Sequence, residues 1–370
     1  MSSGRWVYDE EAYPLYEESA CRFMSDNFAC GKYGRTDLRY QRWRWQPHGC
    51  DLPRFDAARM LGKLRGKRLA FVGDSLNRNQ WVSMVCLIDT ATPGLHKTLN
   101  TTGSLMSFRI HEYNASVDFY WSPLLVESNS DDPVHHRAAD RTVRAGSIAA
   151  HARRWAAAAV LVFNSYLWWR RPSIKVLWGS SFDTTDGDYR ATKEIDALRA
   201  FELALTTWAE WLEFHVDRDR TSLFFMSMSP THLGSDHWDS SPSSSSGIAT
   251  SKSHEAAYGK CYNETEPIAT DARYVGGAGR RGYAALAGAV EDAVRGLGAR
   301  GVGVRLLDVT RISERRKDAH PSVHRRQWEP LTEAQRREDP AGYADCVHWC
   351  LPGVPDVWNH LLYAHIVASS

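Results

Sequence analysis

No apolar run in these 370 residues reaches the ~18 needed to span a bilayer as a helix, which excludes a membrane-crossing helix within the chain. The opening Met1-Ser-Ser-Gly-Arg-Trp6 lacks the basic-then-apolar pattern of a signal peptide. Net charge is scarce too, +1 at pH 7 with a sequence pI of about 7.7. That removes the electrostatic case for nucleic acid or an anionic membrane, and the expected ligand is neutral. No two cysteines stand in Cys-x-x-Cys spacing, so neither a zinc ribbon nor a thioredoxin-type motif is expected. There is no internal repeat, which excludes a repeat array. What remains is a chain long enough to bury a large core, as one domain or a domain with a smaller lobe.

Aromatics are abundant, with 15 Trp and 15 Tyr. Some must be core, and exposed ones would suit stacking on sugar rings. Seven cysteines fall at 21, 30, 50, 86, 261, 346 and 350, and an odd number cannot all pair within one chain. Three glycosylation sequons begin at Asn100, Asn114 and Asn263. Cysteines and sequons together favour an oxidising secretory compartment.

Residues 1–56 are rich in Cys, Arg and aromatics and poor in periodicity, which predicts an irregular segment held by disulfides on a larger domain of residues 57–370. Within that domain, apolar runs at Leu69–Val72, Ala158–Phe163, Leu223–Met228 and Val302–Val309 read as buried parallel strands. Helical stripes separate them, one through Ile195, Leu198, Phe201, Leu205, Trp208 and Leu212, another through Tyr283, Leu286, Val290, Val294 and Leu297. A last helix is expected from about Pro355. Strands alternating with helices predict an α/β, doubly wound, mostly parallel sheet. Phe108–Tyr113 and Val117–Trp121 predict a hairpin around Asn-Ala-Ser, and the Ser-rich stretch in 239–253 a flexible loop.

Two stretches carry chemistry. Lys67-Arg-Leu-Ala-Phe-Val-Gly-Asp-Ser75 reads as strand, tight turn and helix start, placing Ser75 at the carboxyl end of a strand, where open α/β sheets hold their sites. Gly73 is expected to permit the sharp turn, and Asp74 or Ser75 to cap the helix. Alone, Gly-Asp-Ser means no more than that. Near the other end, Asp345-Cys-Val-His348 puts a carboxylate and an imidazole three residues apart. Asp345 could accept Nδ1–H of His348 and leave Nε2 for a serine proton. Asn164, closing the second strand, is an oxyanion candidate beside the Ser75 main-chain N–H. Arg78 and Asn79 either line the mouth of the site or lie on ordinary helix surface. Of Trp168 and Trp169, one is expected to face substrate and one to close the core. His135 and His136 are adjacent and point apart with no spaced third ligand, so no metal site is expected there.

These residues, with Gly4-Arg-Trp-Val-Tyr-Asp9, Pro14-Leu-Tyr16, Gly34-Arg-Thr-Asp37, Trp43-Arg-Trp45, Leu52-Pro-Arg-Phe-Asp56 and Asp345-Cys-Val-His-Trp-Cys-Leu-Pro-Gly353, resemble the plant trichome birefringence-like family of polysaccharide O-acetyltransferases over nearly the whole chain. Val126-Glu-Ser-Asn-Ser-Asp-Asp-Pro133, Phe163-Asn-Ser-Tyr-Leu-Trp-Trp169 and Ser227-Met-Ser-Pro-Thr-His232 are most similar to the branch that acetylates xylan. The resemblance implies an SGNH/GDSL-esterase-like fold and a triad of Ser75 as nucleophile, His348 as base and acid, and Asp345 as orienter. It also implies a Golgi-lumenal location, with membrane contact only through an amino-terminal anchor absent from this chain. From the family pattern the expected disulfides are Cys21–Cys86, Cys30–Cys346 and Cys261–Cys350, with Cys50 left over.

The function so implied is transfer of an acetyl group, through an acetyl-serine, onto O-2 or O-3 of xylosyl residues. Its partners are an acetyl donor and xylan or a xylo-oligosaccharide, with no bound metal or redox cofactor. The competing readings are a carbohydrate acetylesterase with the same triad, an acetyltransferase acting on mannan or xyloglucan, and a non-catalytic wall-polysaccharide binder.

Overall fold

The computed structural model describes residues 1–136, 138, 140–178, 192–233, 260–268, 280–327 and 332–368. The Ser-rich 239–253 stretch lies outside them. In chain order the strands are β1 (Gly4–Tyr8), β2 (Trp43–Pro47), β3 (Arg68–Gly73), β4 (Lys97–Thr102), β5 (Leu105–Ile110), β6 (Ala115–Trp121), β7 (Thr142–Val143), β8 (Val160–Phe163), β9 (Ser173–Leu177), β10 (Thr192–Asp196), β11 (Ser222–Met226) and β12 (Val304–Leu307). The helices are α1 (Ala57–Lys63), α2 (Ser75–Ala91), α3 (Ala149–Trp155), α4 (Ala197–His215), α5 (Arg280–Ala299), α6 (Thr310–Ser313), α7 (Glu333–Glu338) and α8 (Val354–Ala368).

Seven strands form the central sheet in the order β12-β11-β8-β3-β6-β5-β4. The run from β12 to β6 is parallel, and β5 and β4 add an antiparallel edge. Each of the four apolar runs read as a parallel strand is one. Their alternation shows why the sheet is covered on both faces. In β3, Ala70 and Val72 point into a core shared with α3, α4 and α5, while Leu69 and Phe71 point into one shared with α1, α2 and α8. In β8, Leu161 and Phe163 face the first core and Val160 and Val162 the second. A period of two with both phases apolar is the mark of a strand buried between helical layers.

One feature departs from the expectations and two fill them in. The first 56 residues contain an antiparallel pair, β1 on β2, with Trp6 and Trp45 packed edge to face at 5.6 Å. A separate sheet, β10-β9-β7, forms the smaller lobe beside the main one. The 108–121 hairpin exists as β5–β6, and β4 pairs with β5 to carry the sheet to its edge.

Two of the three expected disulfides are paired differently. Cys21 bonds Cys86 as expected, but Cys30 bonds Cys350 and Cys261 bonds Cys346, with Cα separations of 5.6 and 5.5 Å. Cys346 and Cys350 are only four residues apart in sequence, but they flank His348 and bond to different segments, Cys346 to Cys261 and Cys350 to Cys30. Cys50 is free and exposed.

Candidate active site

The site begins at the carboxyl end of β3. Gly73 leads out of the strand because nothing larger fits: a Cβ there would stand 2.3 Å from the Asn164 carbonyl oxygen. Its requirement is this close approach to the neighbouring strand end rather than a sharp turn. Asp74 caps α2, accepting the Leu76 N–H at 2.9 Å. Burial pushes the Asp74 pKa up to about 6, opposed by that N–H bond and by the nearby His348. Ser75 is the first residue of α2. Its backbone N–H, one of the helix's unsatisfied first-turn donors, has no acceptor among the described residues.

The Ser75 hydroxyl meets Nε2 of His348 at 2.8 Å, and Nδ1 of His348 meets Asp345 Oδ2 at 2.9 Å. The other Asp345 oxygen accepts the backbone N–H groups of Val347 and His348, each at 3.0 Å. Those two bonds fold the Asp-x-x-His segment into a turn, which is how a spacing of three brings the side chains together. Burial works against the Asp345 charge, but the imidazole of His348 and the guanidinium of Arg325, 3.6 Å away, hold its carboxyl well below the usual range. A carboxylate kept ionised beside Nδ1 fixes the tautomer that leaves Nε2 free to accept a proton.

The surroundings hold this turn tightly. Asn79 is fully buried, donating Nδ2–H to the Trp349 carbonyl at 3.2 Å and accepting the Trp349 N–H at 2.8 Å. It is therefore neither at the mouth of the site nor on the helix surface, but a clamp between α2 and the histidine turn. Asn77 donates to the carbonyls of Val72 and Val162, both at 3.0 Å, and locks the ends of β3 and β8 together. On the far side, Cys346 and Cys350 anchor the turn at both ends, and the Phe28 ring lies 5.9 Å from that of His348. His320, His232 and Arg325 also contact the turn. Of these three, His232 closes a motif that carried the family resemblance, while the sequence offered no signal for His320 or Arg325, which come from segments without periodicity.

Asn164 is buried at the end of β8, with Nδ2 3.5 Å from the Met226 carbonyl and Oδ1 unpartnered. Trp169 is 1% exposed, packs on Phe201 and donates Nε1–H to Ser165. It belongs to the core and offers no ring face to a ligand, whereas Trp168 is half-buried and stands edge to face with Trp121. His136 packs against both of those rings. Among the described residues there is no group of three or more His, Cys, Asp or Glu able to hold a metal ion.

A second Ser-His-Asp chain exists, and it shows what geometry alone does not confer. Ser122 lies 2.8 Å from Nδ1 of His151, and Nε2 of His151 lies 2.8 Å from Asp131. Ser122 is wholly buried and also donates to the Leu125 carbonyl, so it staples a loop to the end of β6 and reaches no substrate. Ser75 is half-buried and the His348 side chain is 24% exposed, which leaves their pair open to a ligand.

Comparison with known proteins agrees with this architecture. Residues 52–365 match the model of the PC-Esterase family, described as the GDSL/SGNH-like acyl-esterase family found in Pmr5 and Cas1p, and residues 1–51 match the PMR5 N-terminal domain. The chain is 66% identical to Xylan O-acetyltransferase 14 of Oryza sativa subsp. japonica, covering all of this chain and 77% of that protein. It is 49% identical to Protein trichome birefringence-like 34 of Arabidopsis thaliana, covering 99% of this chain and 84% of that one, and 46% identical to Xylan O-acetyltransferase 12 of Oryza sativa subsp. japonica, covering 99% and 69%. The chain therefore belongs to the PC-Esterase family, and within it to the trichome birefringence-like proteins.

Proposed function

We propose that this protein is an O-acetyltransferase that moves an acetyl group through an acetyl-serine onto xylosyl hydroxyls of xylan. The observation that carries the reading is the unbroken chain Ser75–His348–Asp345, at 2.8 and 2.9 Å, in a protein so similar to xylan O-acetyltransferases. His348 takes the Ser75 proton as the oxygen attacks the acetyl carbonyl. The Ser75 N–H meets the developing oxyanion, with the Asn164 amide as a second candidate. Collapse of the tetrahedral species expels the donor's leaving group, which takes the proton from His348. A xylosyl hydroxyl then gives its proton to His348 and attacks the acyl carbon, and the returning proton restores Ser75. Trp168 is the candidate platform for the acceptor.

The setting we infer is the Golgi lumen. Three disulfides suit an oxidising compartment, and Asn100, Asn114 and Asn263 are all exposed, as glycan attachment requires. The start of α1 at Ala57 supports a domain boundary near residue 56.

The test incubates the protein with an activated acetyl donor and xylo-oligosaccharides and weighs the products by mass spectrometry. Acceptor should accelerate donor consumption, most acetyl should appear on xylose, and acetylated Ser75 peptide should accumulate when acceptor is withheld. Consumption indifferent to acceptor and yielding only acetate would make the protein an esterase.

A further inference from the structure

The net charge of +1 conceals a local imbalance near the nucleophile. Arg78 sits one turn after Ser75 on α2, half-buried, and its guanidinium makes no hydrogen bond or ion pair with any described residue. Its Nε is buried without an acceptor. Arg141 lies 4.1 Å over the Trp168 ring and donates Nη1–H to the Trp168 carbonyl at 2.7 Å, and its Nε too is buried and unpartnered. Arg171 follows the same Leu167–Trp169 turn and carries a third buried, unpartnered Nε. That turn adjoins the start of α2, where Leu167 packs against the cluster containing Leu76 and Trp349.

Elsewhere the fold neutralises its buried cations. Arg316 pairs with Asp318 at 2.9 Å and Lys97 with Asp89 at 2.8 Å. The nearby carboxylates have other partners, although Asp140 also lies within electrostatic reach of Arg171. Asp345 holds His348, Asp140 pairs with Lys175, Glu127 with Arg144, and Asp131 with His151. Asp74 faces the first turn of α2. Burial lowers the Arg78 pKa with nothing acidic to oppose it, and burial followed by repulsion from Arg171 lowers that of Arg141 to about 10. A desolvated cation without a counter-ion is costly unless a ligand supplies one, and guanidinium groups match the forked geometry of carboxylate and phosphate.

We propose that Arg78, Arg141 and Arg171 form a recognition site for an oxyanion, a carboxylate or a phosphate, carried by one of the two substrates. This rests on the proposed function, the two candidate sources being a uronic acid carried by the acceptor polysaccharide and a phosphate carried by the acetyl donor, and it replaces the neutral ligand expected from net charge.

Equilibrium binding tests it without turnover. Ser75→Ala protein is titrated with a neutral xylo-oligosaccharide, with the same oligosaccharide bearing a uronic acid, and, for the donor arm, with coenzyme A against its dephosphorylated pantetheine part. In one arm the anionic ligand should bind about tenfold or more tightly, in line with charge-assisted hydrogen bonds, and Arg78→Gln or Arg141→Gln in that background should erase most of the advantage. The arm that responds identifies the source. Near-ultraviolet circular dichroism confirms folding, and a double Arg78→Lys, Arg141→Lys protein keeps the charge but should recover only part of the preference. Less than twofold preference in both arms, or a preference untouched by every arginine variant in folded protein, overturns the proposal. Product masses with the parent protein report separately on acetyl transfer.

Discussion

Nδ1 of His320 donates a 2.6 Å hydrogen bond to the backbone carbonyl of His348. A carbonyl only accepts, so Nδ1 must carry the proton. Nε2 of His320 then faces Nδ1 of His232 at 2.7 Å, and Nε2 of His232 faces the Glu314 carbonyl at 3.0 Å. Three protons would satisfy all three contacts, but two neutral rings hold two. Burial pushes the pKa of His320 well below the usual range and that of His232 to about 4, in opposition to the third proton that the 2.7 Å contact between the rings calls for. His320 also stacks on Trp349 at 4.0 Å. The pair holds the backbone of His348 through the His320 bond. His320→Ala should lower kcat about tenfold or more with little change in KM, the cost of a lost buried hydrogen bond being ~1–3 kcal/mol. A raised KM with unaltered kcat in steady-state kinetics would contradict this.

Ser75→Ala, His348→Ala and Asp345→Ala should each remove nearly all transfer while leaving the circular dichroism spectrum intact, because residues acting as a unit lose most of the effect singly. Asp345→Asn should fail as well, since an amide at Oδ2 no longer fixes the tautomer. Near-parental rates from purified Ser75→Ala protein rule the mechanism out.

The disulfides should differ in what their loss does. Cys30–Cys350 and Cys261–Cys346 bracket the histidine turn, whereas Cys21–Cys86 ties the amino-terminal segment to α2 at a distance from it. Each closes a long loop and should contribute ~2–5 kcal/mol. Replacing Cys21 and Cys86 by serine should lower Tm but spare the rate well below Tm. Replacing Cys30 and Cys350 should lower both. Peptide mapping without reduction checks the pairing itself.

Trp168 and Trp169 should respond in opposite ways. Trp168→Ala should weaken binding of xylo-oligosaccharide with a small effect on unfolding. Trp169→Ala removes a 1%-exposed ring and should cost ~3–5 kcal/mol of stability. Isothermal titration and denaturant melts separate the two, and an unchanged affinity for Trp168→Ala would remove it from the acceptor platform.

Asp356 offers a pH test. Burial raises its pKa to about 6 against bonds from Ser83, Gly353 and Tyr16. A carboxyl group raised on folding gives stability that is complete below its unfolded pKa of 3.8 and lost as pH rises through about 6. Between pH 5 and pH 7 the parent should lose ~1 kcal/mol at this site. Asp356→Asn cannot titrate there, so its deficit relative to the parent should shrink by that amount in urea melts at the two pH values. A deficit that grows with pH contradicts the raised pKa.

The residues Leu69–Val72 and Leu223–Met228 announced strands by themselves, because burial on two sheet faces demands unbroken apolar runs, whereas Asp345 and His348 offered only a pair that a turn could bring together, and their link to Ser75 came from the family resemblance. The helix stripes of α4 and α5 were legible for the same local reason. Only the tertiary structure decided the partners of Cys346 and Cys350, since four residues of separation do not say which side of His348 each faces. It alone sent Asn79 to the Trp349 backbone and Trp169 to the core while leaving Trp168 half-buried, because adjacent residues in a short turn point apart and what they meet comes from distant segments. And it alone gathered His232, His320 and Arg325 behind the triad, groups from loops with no period to read, held there by hydrogen bonds that exist only once β11, β12 and the disulfides are in place.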